Sequence, residues 1–178
     1  MAMYQVNANC HVNHAGGKGI GLFASQFLSK GLLILADQVI LGYETRDEAI
    51  QNIVRDCNAL DSETKSTFLR LFAGPTDIAP IVRNGTLRQQ LMMAPERLRN
   101  IARYNAVEGH GTGCAIAFGS SAVNHSCIPN AFLYWNNDRG LMTLYAQQRI
   151  EPGTEITINY LQDNIYHTSA QRASRLGT

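Results

Sequence analysis

The spacing of apolar residues changes twice along this chain. In residues 1–41 they come in short runs between turns: Ile20 to Ala24 after a glycine cluster, then Leu32-Leu33-Ile34-Leu35-Ala36 after Ser29-Lys30-Gly31. Runs of that length predict strands. From residue 45 the period becomes helical. Thr45-Arg46-Asp47-Glu48 has the form of a capping box, in which the Thr hydroxyl and the Glu carboxylate satisfy backbone N–H groups of the first turn. Ala49, Ile50, Ile53, Val54 and Cys57 follow on one helical face. Asp61 or Ser62 caps a second helix, with Phe68, Leu69, Leu71 and Phe72 as its apolar face and Gly74-Pro75 as its stop. Residues 74–86 read as a loop. Two further helices are predicted at 86–93 and 95–105, with Pro95 in the first turn of the second and Leu98, Ile101, Ala102 and Asn105 facing one way. The chain then returns to strands at Cys114–Phe118, Ala131–Trp135, Leu141–Gln147 and Glu155–Asn159, with turn chemistry at Asn136 to Gly140 and at Glu151-Pro152-Gly153.

The predicted class is therefore α+β, mainly β with a helical insertion. Each β half is too small to stand alone, since an isolated hairpin is marginal; the halves should pack together with residues 45–105 inserted between them. The length of 178 residues, with 45% hydrophobic and 16% charged residues, fits one domain with a sizeable core. A net charge of +1 argues against binding nucleic acid through bulk charge. The four cysteines, Cys10, Cys57, Cys114 and Cys127, show no CxxC spacing and read as free thiols in a reducing compartment. With no secretory signal at the start and no apolar run near the roughly 20 residues of a membrane span, the expectation is a soluble protein of cytoplasm or nucleus, with no membrane contact.

Three segments carry candidate chemistry. Gly16, Gly17, Gly19 and Gly21 let backbone approach a ligand closely. No GK[ST] follows, so this is not a P-loop, and a strand follows where a dinucleotide fingerprint needs a helix. Asn124-His125-Ser126-Cys127-Ile128-Pro129-Asn130 offers amide and imidazole groups, although the same residues make good turns. Glu155-Ile156-Thr157-Ile158-Asn159-Tyr160 ends in a phenol; alone, such a tyrosine is ordinarily a rim residue whose hydroxyl finds water. Together the three could align a sulfonium methyl donor with an amine. Such a displacement moves charge from sulfur to nitrogen and depends mainly on alignment. A phenol with a reference pKa of about 10 stays neutral at pH 7, while a lysine amine near 10.4 must first lose its proton, which a desolvating channel favours.

In order and character these segments resemble the signature segments of SET-domain protein lysine methyltransferases, over about residues 15–176. The resemblance is strongest to the fungal and MYND-type group, in which a helical insertion separates two halves of the fold. It implies a SET fold of small β-sheets with a C-terminal pseudoknot: residues 15–44 as the first part, 45–108 as the insertion, 109–162 as the second part and 163–178 as a short tail. It implies S-adenosylmethionine as cofactor, held by Lys18, Gly19, Ile20, Gly21, Asn105, Asn124 and His125, with Tyr160 as the catalytic tyrosine. Arg103-Tyr104-Asn105 stands where the group places an Asn, and Arg172 and Leu176 are similar to its final helix.

The chain also departs from the family. No cysteines follow Cys127 to make the post-SET zinc site, and one thiolate cannot form a tetrahedral centre, so no zinc is expected. Neither a MYND finger nor tetratricopeptide repeats are present. The amine channel would then be open, or be completed by a partner, a second protomer, or Tyr166 and His167. At Ala36 to Ile40 the family usually has Glu and Pro. The leading expectation is a protein lysine methyltransferase acting on a protein substrate. A small-molecule enzyme of secondary metabolism (a methyltransferase or a cyclase) and a non-catalytic interaction module stay open beside it.

Overall fold

The computed structural model describes residues 4–108, 113–136, 139–160 and 170–171. Tyr166, His167, Arg172 and Leu176 lie outside the described residues. Strands β1 (Tyr4–Val6), β2 (Cys10–His14), β3 (Ile20–Ala24) and β4 (Leu33–Tyr43) come first. Helices α1 (Arg46–Ala59), α2 (Ser62–Phe68), α3 (Gly85–Met92) and α4 (Pro95–Asn105) follow. Then come β5 (Val107–Glu108), β6 (Cys114–Ala117), β7 (Asn124–His125), β8 (Ala131–Asn136), β9 (Leu141–Ala146) and β10 (Glu155–Ile158). The class is the predicted one: mainly β, with helices between two groups of strands.

The local signals act much as their chemistry dictates. Thr45 Oγ1 accepts from Glu48 N at 3.1 Å. Glu48 returns its carboxylate to Glu44 N at 2.9 Å, one residue earlier than in a standard capping box. Asp61, rather than Ser62, caps α2, accepting from the N–H groups of Glu63 and Thr64 at 3.0 Å. Pro95 occupies the first turn of α4.

Two elements differ from the sequence pattern. The second helix ends at Phe68 and does not run on to Phe72. Its last turn tightens, with Arg70 N donating to Thr67 O and Leu71 N to Phe68 O, and these three-residue bonds rotate the following chain off the helical face. Phe68 is buried, but Phe72 is 57% exposed and meets Tyr104 edge-on at 5.2 Å. Strand β4 also runs seven residues beyond Ala36, to Tyr43. The polar pair Asp37-Gln38 hides the continuation. Neighbours on both edges hold it: β1 and β9 along Leu33 to Gln38, and β6 along Val39 to Tyr43.

β4 thus organises one sheet, of order β5-β6-β4-β9-β8 with β1 also against β4. The other sheet has order β2-β3-β10-β7. In it β10 lies antiparallel to β3 and parallel to β7, so the last strand is seated between an early strand and a late one. Two apolar clusters result. One, with Leu22, Leu35, Leu144 and Ile156, lies among the strands; the other, with Ile53, Phe68, Leu98 and Ile101, lies under the helices. β6 joins them. All four of its residues are buried, with Ala115 and Ala117 in the strand cluster and Cys114 and Ile116 in the helical one, as a two-residue period requires. Among the helices, Arg97 Nε donates to both oxygens of Asp77 at 3.1 and 3.0 Å, pinning the loop before α3 to α4. No helix of the described residues is long and apolar enough to cross a membrane.

Asp37 is the fully buried acid of β4. Burial pushes its carboxyl up to about 6, against the opposing pull of hydrogen bonds from Ser120 and Gly119. A carboxyl raised in the fold binds its proton more tightly there than in the unfolded chain. Its contribution to stability is therefore present near pH 4 and is lost as pH rises through about 6. Urea unfolding at pH 4 to 7 should show the stability gap between wild type and Asp37→Asn moving in favour of the variant by roughly 1–3 kcal/mol as pH rises. A gap that stays flat with pH would contradict the raised titration.

Candidate functional site

The site forms where β3, β7 and β10 meet. The chain enters β3 through a 3-10 turn at Gly16–Lys18 and then Gly19, whose φ of 83° suits glycine. A Cβ built on Gly16, Gly17 or Gly19 would meet nothing within 4 Å, so this backbone faces open space. Gly21 is the opposite case. A Cβ there would lie 2.9 Å from Glu155 Oε1 and 3.0 Å from both Ala15 Cβ and Asn124 Nδ2. Its hydrogen is what lets β7 and β10 close on β3.

Glu155 is the hub of this contact. Its Oε2 accepts from Lys18 Nζ at 2.8 Å, and its Oε1 accepts from Asn124 Nδ2 at 2.8 Å. Asn124 Nδ2 also donates to Ile20 O at 2.9 Å. With both amide protons used, Asn124 keeps its side-chain oxygen to offer. The Lys18–Glu155 pair is half in water, with 51% and 20% of the side chains exposed. Such a pair is worth about 1 kcal/mol or less and opens at little cost.

On the far side, Tyr160 N donates to His125 Nδ1 at 3.1 Å. Nδ1 is therefore the acceptor nitrogen, and the ring proton sits on Nε2, 3.3 Å from Cys127 Sγ. The Tyr160 hydroxyl donates to Val123 O at 2.7 Å, and the two rings lie 5.4 Å apart. Burial pushes the phenol up to about 12, with the negative charge of Glu155 adding to the rise. Tyr160 is consequently a neutral hydroxyl across the whole physiological range. It can orient a group through its oxygen but is no base.

The structure brings Lys18, Ile20, Gly21 and Asn124 together around Glu155, with Gly19 adjoining them in the chain, and sets His125 against Tyr160 on the far side. Asn105 is elsewhere. It is buried at the end of α4, where Nδ2 donates to Phe72 O at 2.7 Å and to Ile101 O at 2.8 Å; its amide closes the helical block. The residue that sequence reasoning passed over is Glu155 itself. Its signal was slight: a single acid at the head of a short strand, Glu155-Ile156-Thr157-Ile158. Asn130 was likewise read only as part of a turn. It holds β10 in place, donating to Glu155 O at 2.8 Å and accepting from Thr157 N at 2.9 Å. Among the described residues no three His, Cys, Asp or Glu side chains converge to hold a metal ion.

The donor set suits the zwitterionic end of an amino acid. An ammonium (Lys18) stands beside a carboxylate (Glu155) and an amide oxygen (Asn124), at the edge of an open glycine backbone. The SET domain family model matches residues 19–161. A candidate SET domain-containing protein, L678, of Acanthamoeba polyphaga mimivirus is 25% identical over 180 residues, covering 89% of this chain and 69% of that protein. A solved candidate histone methyltransferase of Plasmodium falciparum is 18% identical with a TM-score of 0.48, covering 87% of this chain and 95% of that one.

Gly21→Ala tests the closure. The added methyl should push Asn124 and Glu155 apart and cost about 1–3 kcal/mol of stability, as overpacking does. The check is urea unfolding together with displacement of the Asn124 side-chain amide signals in a nitrogen-15 spectrum. Wild-type stability and unmoved signals would mean that the three strands are not closed this tightly.

Proposed function

This chain belongs to the SET-domain family, and on that premise we propose that it is an S-adenosylmethionine-dependent methyltransferase whose acceptor is a lysine side chain of a protein. The observation that carries the reading is the Tyr160 hydroxyl, half-buried and fixed on Val123 O at 2.7 Å, beside a cluster shaped for an amino-acid zwitterion.

Lys18 and the open backbone of Gly19, Ile20 and Gly21 would receive the carboxylate end of the cofactor. Glu155 and the Asn124 oxygen would receive its ammonium. His125 would hold the Tyr160 segment against it. When bound, the cofactor supplies a methyl group made electrophilic by a sulfonium. The chain's own part is alignment. Tyr160 stays protonated, its hydroxyl donates to Val123 O, and its oxygen lone pairs are free to orient an incoming neutral amine. Nothing in this arrangement asks Tyr160 to take a proton. The amine loses its own to solvent before transfer, helped by the apolar surroundings of the half-buried ring.

We read residues 1–178 as a single SET domain with 45–108 as its insertion, of the fungal and MYND-type group. The four helices between β4 and β5 support that reading. Asn105 enters it as a support of the insertion, its amide being spent on Phe72 O and Ile101 O. We infer a cytoplasmic or nuclear setting.

The test is calorimetric titration with S-adenosylmethionine and its demethylated product, followed by an acceptor screen. Binding should be micromolar, and Asn124→Ala should weaken it tenfold or more, by about 1.4 kcal/mol or beyond. Tyr160→Phe should leave binding intact and lower turnover by about 10²-fold. A folded, monodisperse sample that binds neither compound would overturn the reading and point to a repurposed pocket acting on a small molecule.

A further inference from the structure

The buried carboxyl of β4 has a connection to the site that its place in the sheet does not require. Asp37 Oδ2 accepts from Ser120 N at 2.7 Å and from Ser120 Oγ at 2.6 Å. Its other oxygen, Oδ1, is buried with no hydrogen-bond partner. A half-satisfied buried carboxyl is a poor stabiliser, since an apolar side chain of the same shape would avoid its desolvation. Its position is more telling. Ser120 begins the 3-10 turn Ser120–Ala122 that leads directly into β7. Two short bonds make that turn stiff: Ala122 N donates to Gly119 O at 3.1 Å, and Val123 N donates to Ser120 O at 3.1 Å. Val123 O is the acceptor of the Tyr160 hydroxyl. An unbroken series of hydrogen bonds and backbone thus runs from Asp37 through Ser120 and Val123 to Tyr160.

Gly119 shows how closely the turn must sit on β4. A Cβ built on it would lie 2.8 Å from Leu35 Cδ1 and 3.3 Å from Asp37 Oδ2, and Leu35 is itself buried. The φ at this position is ordinary; it is close approach, not conformation, that calls for glycine. The turn is pressed against the Leu35 side chain and the Asp37 carboxyl together, and of the two only the carboxyl holds it by hydrogen bonds.

We propose that Asp37 is a positioning residue for Tyr160: by gripping Ser120 it fixes the turn whose last carbonyl, that of Val123, receives the tyrosine hydroxyl. The carboxyl touches neither acceptor nor cofactor. It sets where one acceptor oxygen stands, and so the direction in which the phenol points. The inference rests on Tyr160 being the catalytic tyrosine of the proposed methyl transfer, and its test is chosen to read Tyr160 without turnover.

The experiment uses the full chain labelled with carbon-13 at the tyrosine Cζ, with the Tyr160 signal assigned by its loss in Tyr160→Phe. Ionisation of Tyr160 is followed to pH 11, and the methyl spectrum confirms that each protein remains folded. The titratable groups facing the ring are His125 on β7 and Glu155 on β10, and both stay unaltered in every variant. In wild type, with the phenol pushed up to about 12, Tyr160 should remain mostly protonated at pH 11. Asp37→Asn, Ser120→Ala and Gly119→Ala each loosen the turn from a different side. Each should let water reach the hydroxyl and lower the Tyr160 midpoint by about one pH unit or more, that is, about tenfold in ionisation. Tyr43, half-buried with its hydroxyl on Asp56 near the helices, should titrate as in wild type. If Asp37→Asn does not fold, Ser120→Ala decides, because it keeps the backbone bond to the carboxyl. Unchanged Tyr160 ionisation in the folded variants, even with lower melting temperatures, would reduce Asp37 to a sheet-packing residue and overturn the proposal. Failure of wild type to bind S-adenosylmethionine would instead strike the function reading, and the tyrosine titration would still decide the positioning.

Discussion

Everything at the site depends on the seating of β10, a strand of four residues with a different partner on each edge. Against β3 it is antiparallel, which brings Glu155 to Lys18 and to Gly21. Against β7 it is parallel, which brings Thr157 to Asn124 and Ile158 to His125. Parallel pairing of two short segments is weak by itself. Side chains reinforce it: Asn130 grips the β10 backbone at two points, and Ser126 N donates to Ile158 O at 2.9 Å. Tyr160 follows directly, so its ring is delivered by strand pairing and not by a free loop. A side chain placed in this way has little conformational entropy left to lose when it meets a ligand.

The electrostatics of the site divide accordingly. The wet side, with Lys18, Glu155 and Asn124, holds opposite charges that a zwitterion can replace at little cost. The dry side holds a phenol whose proton is secured by burial. Glu155 belongs to both: its carboxylate pairs with Lys18, and its charge adds to the raised titration of Tyr160.

The sequence was most legible where local chemistry decides. Thr45 caps α1, Pro95 opens α4, Ile20 to Ala24 form a strand, and Asn136 of β8 pairs with Leu141 of β9, while Asn137 and Asp138 of the predicted turn lie outside the described residues. The motif residues also converge, except for Asn105. What was hidden depends on partners distant in the chain. β4 outruns its apolar signal because β6 and β9, both from the second half of the chain, together with β1 supply its bonds. Phe72 has a helical spacing but lies past a tightened turn. Glu155 and Asp37 each look like one acid in a strand; only the fold puts Asn124 beside one and Ser120 beside the other.

β6 is buried on both faces, and its two faces are unequal. Alanines meet the strand core, while cysteine and isoleucine meet the helices. If the strand slid by a single residue, bulk would be driven into the tight side and a void would open on the roomy one. The strand is therefore keyed like an asymmetric plug. Its register is fixed by volume as much as by hydrogen bonds, and the helical layer cannot shift along the sheets without paying on both surfaces at once.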